Sequence, residues 1–137
     1  MLYLLDTNIA SYLIKGRDKG IEAKVERIAP DQVAVSVITR AELLYGLKKL
    51  PAEHRLHIVV RQFLKLVHLP HWDEEAADWY AEIRHQLTVH GRPIGEMDMM
   101  IAAHALALGA VLVTNNIKHF ERIAAPLTLE NWVEEKR

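Results

Sequence analysis

Short apolar runs alternate along this chain with segments of helical periodicity. The runs 1–5, 33–36 and 110–114 are almost wholly apolar, as strands in the middle of a parallel sheet are, because helices cover both faces of such a sheet. Two weaker runs, 66–69 and 127–129, could add further strands. This alternation predicts an α/β fold, a three-layer α/β/α sandwich with a central, mostly parallel sheet.

The segments between the runs carry apolar residues at helical spacing. Gly16, Pro51 and Gly109 follow three of them, as residues that end helices do. The predicted helices cover 7–15, 20–29, 39–50, 52–65, 73–89, 96–108 and 118–123.

The composition restricts the class of protein. With 137 residues, half of them hydrophobic, we expect a single domain, 1–137. Seventeen Lys and Arg against 18 Asp and Glu give a net charge of −1, so only a local basic patch could attract nucleic acid. The absence of cysteine excludes disulfides and thiolate metal sites.

The first residues do not resemble a targeting segment. An acid follows only five residues after the start, without a preceding basic region, so we expect no signal peptide. No apolar run approaches the roughly 18 residues that a membrane helix needs. We therefore expect a cytoplasmic protein without membrane contact.

Four polar residues stand where apolar runs end or helices begin. Asp6 follows the first run and Asn116 the run 110–114, while Glu42 and Asp98 lie near the starts of two predicted helices. The carboxyl ends of parallel strands share one edge of an open sheet, and ligands bind in the crevice there. Three acids and an amide gathered at this edge would suit a hard divalent cation, which prefers oxygen ligands.

Each of the four also has a purely structural interpretation. Asp6 could cap the following helix, and Thr39 with Glu42 has the spacing of a capping box. The helix dipole alone favours Asp98 in a first turn, and Asn116 could be a turn residue. Caps need not converge on one point, whereas metal ligands must.

Two close histidine pairs raise the question of zinc. His54 and His57 lie on a predicted helix, and His68 and His71 flank a proline. Zinc sites recruit three or four ligands, and no further cluster accompanies either pair. We therefore interpret these imidazoles as surface or partly packed side chains.

Four ordered blocks of sequence resemble a known family, the PIN domains. Leu4–Asn8 and Ser36–Gly46 are similar to its first half, and Gly91–Ala105 and Leu112–Asn116 to its second. The last block continues into Lys118–Ile123, which is similar to the VapC-type toxins of bacterial toxin–antitoxin pairs. The likeness covers nearly the whole chain.

The resemblance implies a metal-dependent endoribonuclease that a VapB-like antitoxin inhibits. By position, Asp6, Glu42 and Asp98 match the acids that hold Mg²⁺ or Mn²⁺, and Asn116 stands where many PIN domains have a fourth acid. An amide brings no charge, which weakens the expectation of a second metal ion. The family further implies a homodimer, an RNA substrate that is a tRNA in some members, and operator DNA bound only through the antitoxin.

Neighbouring residues have supporting roles in this interpretation. Thr7, Asn8 and Thr114 flank the acids and could orient ligands or water, although local turn hydrogen bonds would explain them equally well. Basic residues could contact RNA phosphates, and most surface cations are only solvated. The candidates are Arg40, Lys49 and Arg92, followed by Lys48, Lys118 and Arg122.

Two other functions compete with a nuclease. One is a non-catalytic RNA- or protein-binding module that keeps the fold, with Asn116 as a sign of lost activity. The other is a phosphatase with Asp6 as nucleophile, but that pattern requires an acid two residues later, where Asn8 stands. The intact set Asp6, Glu42 and Asp98 favours the nuclease.

Overall fold

A four-stranded parallel sheet forms the centre of the molecule. The computed structural model describes residues 1–134. The strand order is β2-β1-β3-β4, and every pairing is parallel, so the predicted fold class is confirmed. The strands are β1 (Tyr3–Leu5), β2 (Val33–Val35), β3 (Val111–Val113) and β4 (Thr128–Glu130).

Helices connect the strands and cover both faces of the sheet, as parallel crossovers require. Their bounds are α1 (Thr7–Lys15), α2 (Lys19–Glu26), α3 (Val37–Lys48), α4 (Leu56–Leu66), α5 (Glu74–Val89), α6 (Glu96–Leu108) and α7 (Ile117–Phe120), with a 3-10 turn at Pro30–Gln32. Within residues 1–134, no helix has both the length and the apolar character of a membrane span.

Alternation along the strands divides the interior into two cores. Leu4 and Leu112 point to one face, where they pack with apolar residues of α5 and α6. Leu5 and Val113 point to the other face, which α1, α2 and α4 cover together with Trp132. Strands β1, β2 and β3 are therefore largely buried on both faces, which explains why their runs are almost wholly apolar.

The strand register brings three polar residues to the same level at the carboxyl edge. Leu5 is paired with Val35 on one side and with Val113 on the other. The next residue of each strand is therefore level with its neighbours across the sheet, and these three residues are Asp6, Ser36 and Thr114. All three are buried.

Several predictions about individual elements were wrong; α4, for example, begins at Leu56 and not at residue 52. The run 66–69 does not form a strand, because α4 continues through Leu66 and only His68 makes a bridge, to Ala34. The third helix begins at Val37 and not at Thr39, since the Ser36 side chain accepts a hydrogen bond from Ile38 N and caps the helix. The predicted capping box at Thr39 is therefore absent, because Thr39 lies inside the helix.

Candidate active site

Asp6 occupies the centre of the carboxyl edge. It follows the middle strand β1, and its backbone N–H donates to the Val113 carbonyl at 3.0 Å. Its side chain caps α1 by accepting from Ile9 N at 2.9 Å, so the structural interpretation of Asp6 holds. Only 5% of Asp6 is exposed, and within residues 1–134 it has no basic partner, which is an unusual position for a carboxylate.

Glu42 approaches this edge from α3. Thr7, the first residue of α1, donates its hydroxyl hydrogen bond to Glu42 Oε1 at 2.6 Å. The same hydroxyl lies 3.1 Å from Thr39 Oγ1, one helical turn before Glu42. The predicted supporting role of Thr7 thus corresponds to a contact that orients the Glu42 carboxylate.

Asp98 lies in the first turn of α6 and contacts a residue that the sequence did not single out. His119 Nε2 of α7 is 3.1 Å from Asp98 Oδ2, and the Asp98 side chain keeps 41% of its surface exposed. The sequence feature that could have pointed to His119 was its position three residues after Asn116, in the short helix that Asn116 begins. An imidazole at this point orients one oxygen of Asp98 and leaves the other available.

Asn116 stands at the start of α7 without capping it through its side chain. Its backbone N–H donates to Thr114 Oγ1 at 3.0 Å, while the exposed amide group remains available for other partners. Its φ of −117° excludes the left-handed turn conformation considered from the sequence. Thr114 is fully buried and holds the backbone of the loop between β3 and α7.

The charges of the three acids act on one another. The pKa of Asp6 is raised to about 6 as the net result of several effects. Burial raises it most, hydrogen bonds from Thr114 and Ile9 lower it, and the negative charges of Asp98 and Glu42 raise it. Carboxylates that share a site in this way disfavour ionisation, unless a cation compensates them. The structure therefore brings the three predicted acids into electrostatic contact at one edge.

The donor set of this edge consists of carboxylate and amide oxygens, which are the ligands of hard divalent cations. In the described range 1–134, no three His, Asp or Glu side chains are close enough to hold one ion in their present conformations. Glu42 is turned toward Thr7 and Asp98 toward His119. The residue types fit a divalent cation, and the side chains of Glu42 and Asp98 would have to adjust to bind it together with Asp6.

A second polar contact joins the two helices that carry Glu42 and Asp98. His104 of α6 is fully buried; its Nδ1 lies 2.9 Å from Ser36 Oγ and its Nε2 3.1 Å from the His71 carbonyl oxygen. A carbonyl can only accept, so the proton is on Nε2 and Nδ1 accepts from Ser36. Burial lowers the pKa of His104, which favours this neutral form. The sequence did not single out His104, and the one indication of this link was a polar residue in the otherwise apolar stretch 99–108 of α6.

The remaining candidate residues are either exposed or have contacts of their own. Asn8 is exposed in the first turn of α1, and Arg40 and Arg92 are exposed as well. Lys49 has its ammonium 4.7 Å from the centre of the Tyr45 ring. The guanidinium of Arg122 donates to the Pro93 carbonyl and so has a structural partner.

The histidine pairs take part in local contacts. His54 Nδ1 accepts from Leu56 N at 3.1 Å, and the backbone of His68 pairs with β2. The His71 carbonyl is the partner of His104.

Comparison with known proteins gives consistent results over almost the entire chain. The PIN domain family matches residues 3–126. Ribonuclease VapC2 of Haemophilus influenzae is 40% identical over 131 residues, which cover 96% of this chain and 98% of that protein. The tRNA(fMet)-specific endonuclease VapC of Shigella flexneri is 34% identical over 130 residues, with coverages of 95% and 97%.

A solved structure has the same fold. The crystal structure of VapBC2 from Rickettsia felis, bound to a DNA fragment from its promoter, contains a chain that superposes with a TM-score of 0.88. The two chains are 38% identical, and the match covers 96% of this chain and 99% of that one.

Proposed function

This chain belongs to the PIN-domain family and, within it, to the VapC ribonucleases, and from that premise we propose that it is a metal-dependent endoribonuclease toxin. The observation that carries the proposal is the buried Asp6, whose pKa is raised by burial and by the charges of Glu42 and Asp98. A fold that needed Asp6 only as a helix cap would have no use for two further acids facing it.

The proposed metal ligands are Asp6, Glu42 and Asp98, with Asn116 as a neutral fourth donor. The cation is Mg²⁺ or Mn²⁺, because all four side chains offer oxygen and none offers sulfur. When bound, such a cation lowers the pKa of a coordinated water and balances the charge that develops on the phosphate.

The chain's own residues prepare this edge for phosphodiester hydrolysis. The Ile9 amide holds Asp6, the Thr7 hydroxyl holds Glu42, and the His119 imidazole holds Asp98. These contacts hold the three carboxylates at the edge, and the side chains of Glu42 and Asp98 would shift from them to hold a cation together with Asp6. Attack by water with departure of the 3′-oxygen leaves a 5′-phosphate and a 3′-hydroxyl, without participation of the RNA 2′-hydroxyl.

The relatives suggest the substrate and the partners. The Shigella relative is named for tRNA(fMet), and the Rickettsia structure contains VapB, VapC and promoter DNA. We therefore propose a tRNA as substrate, a VapB-like antitoxin as inhibitor, and contact with operator DNA through that antitoxin. We further propose that each chain is one nuclease domain and that two chains form a homodimer. The proposed location is the cytoplasm.

The competing function is a PIN module that binds RNA or protein without cleavage. The test is incubation of antitoxin-free protein with total bacterial tRNA, with Mg²⁺ or Mn²⁺ and with EDTA. We expect discrete fragments with 5′-phosphates that require the metal and disappear in Asp98→Asn. Glu96→Gln is the matched control, because Glu96 lies in the same helical turn but pairs with Arg84 at 3.6 Å. Intact tRNA in every lane, with binding retained, would favour the non-catalytic module.

A further inference from the structure

A cleft leads away from the acidic edge between α1 and α3, and we name it the α1–α3 cleft. Its volume is about 390 Å³. Thr7 and Glu42 line one end, and Lys15 and Lys49 are among the lining residues two turns further along the helices. Lys15 is eight positions after Thr7 on α1, which corresponds to about 12 Å along the helix.

The walls of the α1–α3 cleft combine two kinds of surface. Its floor is apolar and includes Leu43, Leu47 and Val60. The polar side chains along α1 are Asn8 and Ser11. An apolar floor can accept the face of a nucleobase, while lysine ammonium groups attract phosphates.

Gly46 of α3 lines the same cleft, and the packing around it does not require a glycine. A Cβ added at Gly46 would meet nothing within 4 Å, so no packed neighbour excludes a side chain. Glycine inside a helix lowers its stability, and one accepted use is close approach of the backbone to a ligand. The missing side chain widens the cleft where it faces solvent.

We propose that the α1–α3 cleft binds an unpaired nucleotide of the RNA substrate beside the scissile phosphate, an inference that rests on the proposed function. The base lies on the apolar floor against Gly46, and the following phosphates face Lys15 and Lys49. A base that enters the cleft cannot remain stacked and paired in a duplex. The substrate class is therefore a single-stranded segment, such as a tRNA loop.

Charge favours RNA over a protein segment as the occupant. Lys15 and Lys49 line the part of the cleft away from Glu42, and among residues 1–134 no second acid lines it. A polyanionic strand whose scissile phosphate lies at the acidic edge would meet these two cations next. Lys49 was a candidate RNA contact from the sequence, and its position in the cleft supports that prediction.

The first test fills the cleft. Gly46→Phe, with Gly46→Ala as the smaller step, adds a side chain where there is open space, so the fold is retained. We expect the kcat/KM for an initiator tRNA transcript to fall by tenfold or more in Gly46→Phe, and less in Gly46→Ala. Ala81→Phe adds the same bulk to an exposed position of α5 and leaves cleavage unchanged. Equal activity of Gly46→Phe and wild type would overturn the proposal.

The second test removes the two positive charges. In Lys15→Gln/Lys49→Gln the slope of log kcat/KM against log salt becomes shallower by roughly 1.4, since each phosphate contact with a single strand contributes about 0.7. Lys24→Gln/Lys65→Gln changes the net charge equally at exposed positions outside the cleft and keeps the wild-type slope. This readout separates phosphate contact from a general loss of stability. The same slope in both double variants would overturn the role of Lys15 and Lys49.

The two proposals fail in distinguishable ways. If wild-type protein binds tRNA but does not cleave it, the proposed nuclease function is refuted. If wild type and all cleft variants cleave equally, only the cleft assignment is refuted. Cleft variants that cleave normally but no longer bind the antitoxin would assign the cleft to a protein segment and not to RNA.

Discussion

Asp6 combines a structural and a proposed chemical role in one side chain. Its Oδ1 caps α1, which stabilises the fold, whereas its negative charge is opposed by burial and by two neighbouring acids. The raised pKa has a definite consequence for stability. Because the folded-state pKa of about 6 exceeds the ordinary value of 3.8, the contribution of Asp6 to stability is fully present below pH 4 and is lost as the pH rises through 6.

Asp6→Asn separates the two roles, since asparagine caps helices as well as aspartate does but carries no charge. In EDTA at pH 7.5 we expect the free energy of unfolding to rise by about 1 to 3 kcal/mol, the range that the pKa shift allows. At pH 4 the gain disappears, and RNA cleavage is abolished at any pH. Urea denaturation at the two pH values measures the effect, with the exposed Asp31→Asn as control. An unchanged free energy of unfolding at both pH values, with activity retained, would identify Asp6 as a cap only.

Asn116→Asp tests whether the amide belongs to the metal site. An added carboxylate should tighten Mg²⁺ binding by roughly tenfold, or about 1.4 kcal/mol. Isothermal titration with Mg²⁺ measures the difference, and Asn115→Asp adds the same charge at the exposed neighbouring position. An equal Kd in Asn116→Asp and wild type would place Asn116 outside the set of ligands.

At the level of elements, the relative positions of α3 and α6 depend on a buried polar link. Ser36 caps α3 and donates to His104 of α6, so one hydroxyl connects the helix of Glu42 with the helix of Asp98. The sequence predicted both helices from their periodicity. The link itself escaped detection because Ser36 and His104 are 68 residues apart.

Ser36→Ala should therefore cost more than the loss of an ordinary cap. It removes the cap of α3 and leaves the buried His104 Nδ1 without a donor, and we expect a loss of about 2 to 3 kcal/mol in the free energy of unfolding. Asp73→Ala removes only the cap of α5 and should cost about 1 kcal/mol. Urea denaturation at pH 7.5 compares the two variants. Equal losses would show that the contact between Ser36 and His104 contributes no stability of its own.

At the level of the whole molecule, the proposed metal binding should be coupled to folding. The fold collects three acids at one edge, and their mutual repulsion lowers its stability when no cation is bound. A ligand that binds only the folded state raises stability, by about 2.7 kcal/mol at a hundred times its Kd. The acidic edge should therefore make the melting temperature depend on divalent cations.

Mg²⁺ or Mn²⁺ should raise the Tm of wild-type protein relative to EDTA at pH 7.5. In Asp98→Asn this increase should be much smaller, whereas in Glu96→Gln it should match wild type. Differential scanning calorimetry measures the shift, with sodium chloride at equal ionic strength as the control for screening. An equal increase in wild type and Asp98→Asn would mean that Asp98 contributes nothing to metal binding.

The sequence by itself determined which residues become strands and helices and which polar side chains follow them. The period of the apolar residues gave β1, β2 and β3 and the long helices, and the weak run 127–129 proved to be the edge strand β4. The similar run 66–69 failed, because so short an apolar run fits the end of a helix as well as a strand. Local pattern therefore decided the fold class but not every element.

Only the tertiary structure decided what the polar side chains contact. The register of β1 against its two neighbours brings Asp6 level with Ser36 and Thr114, and the docking of α6 brings the charge of Asp98 to bear on Asp6. The contact of His119 with Asp98 and the α1–α3 cleft arise between segments that are distant in the chain. Such contacts depend on distances through space, which the order of residues does not contain.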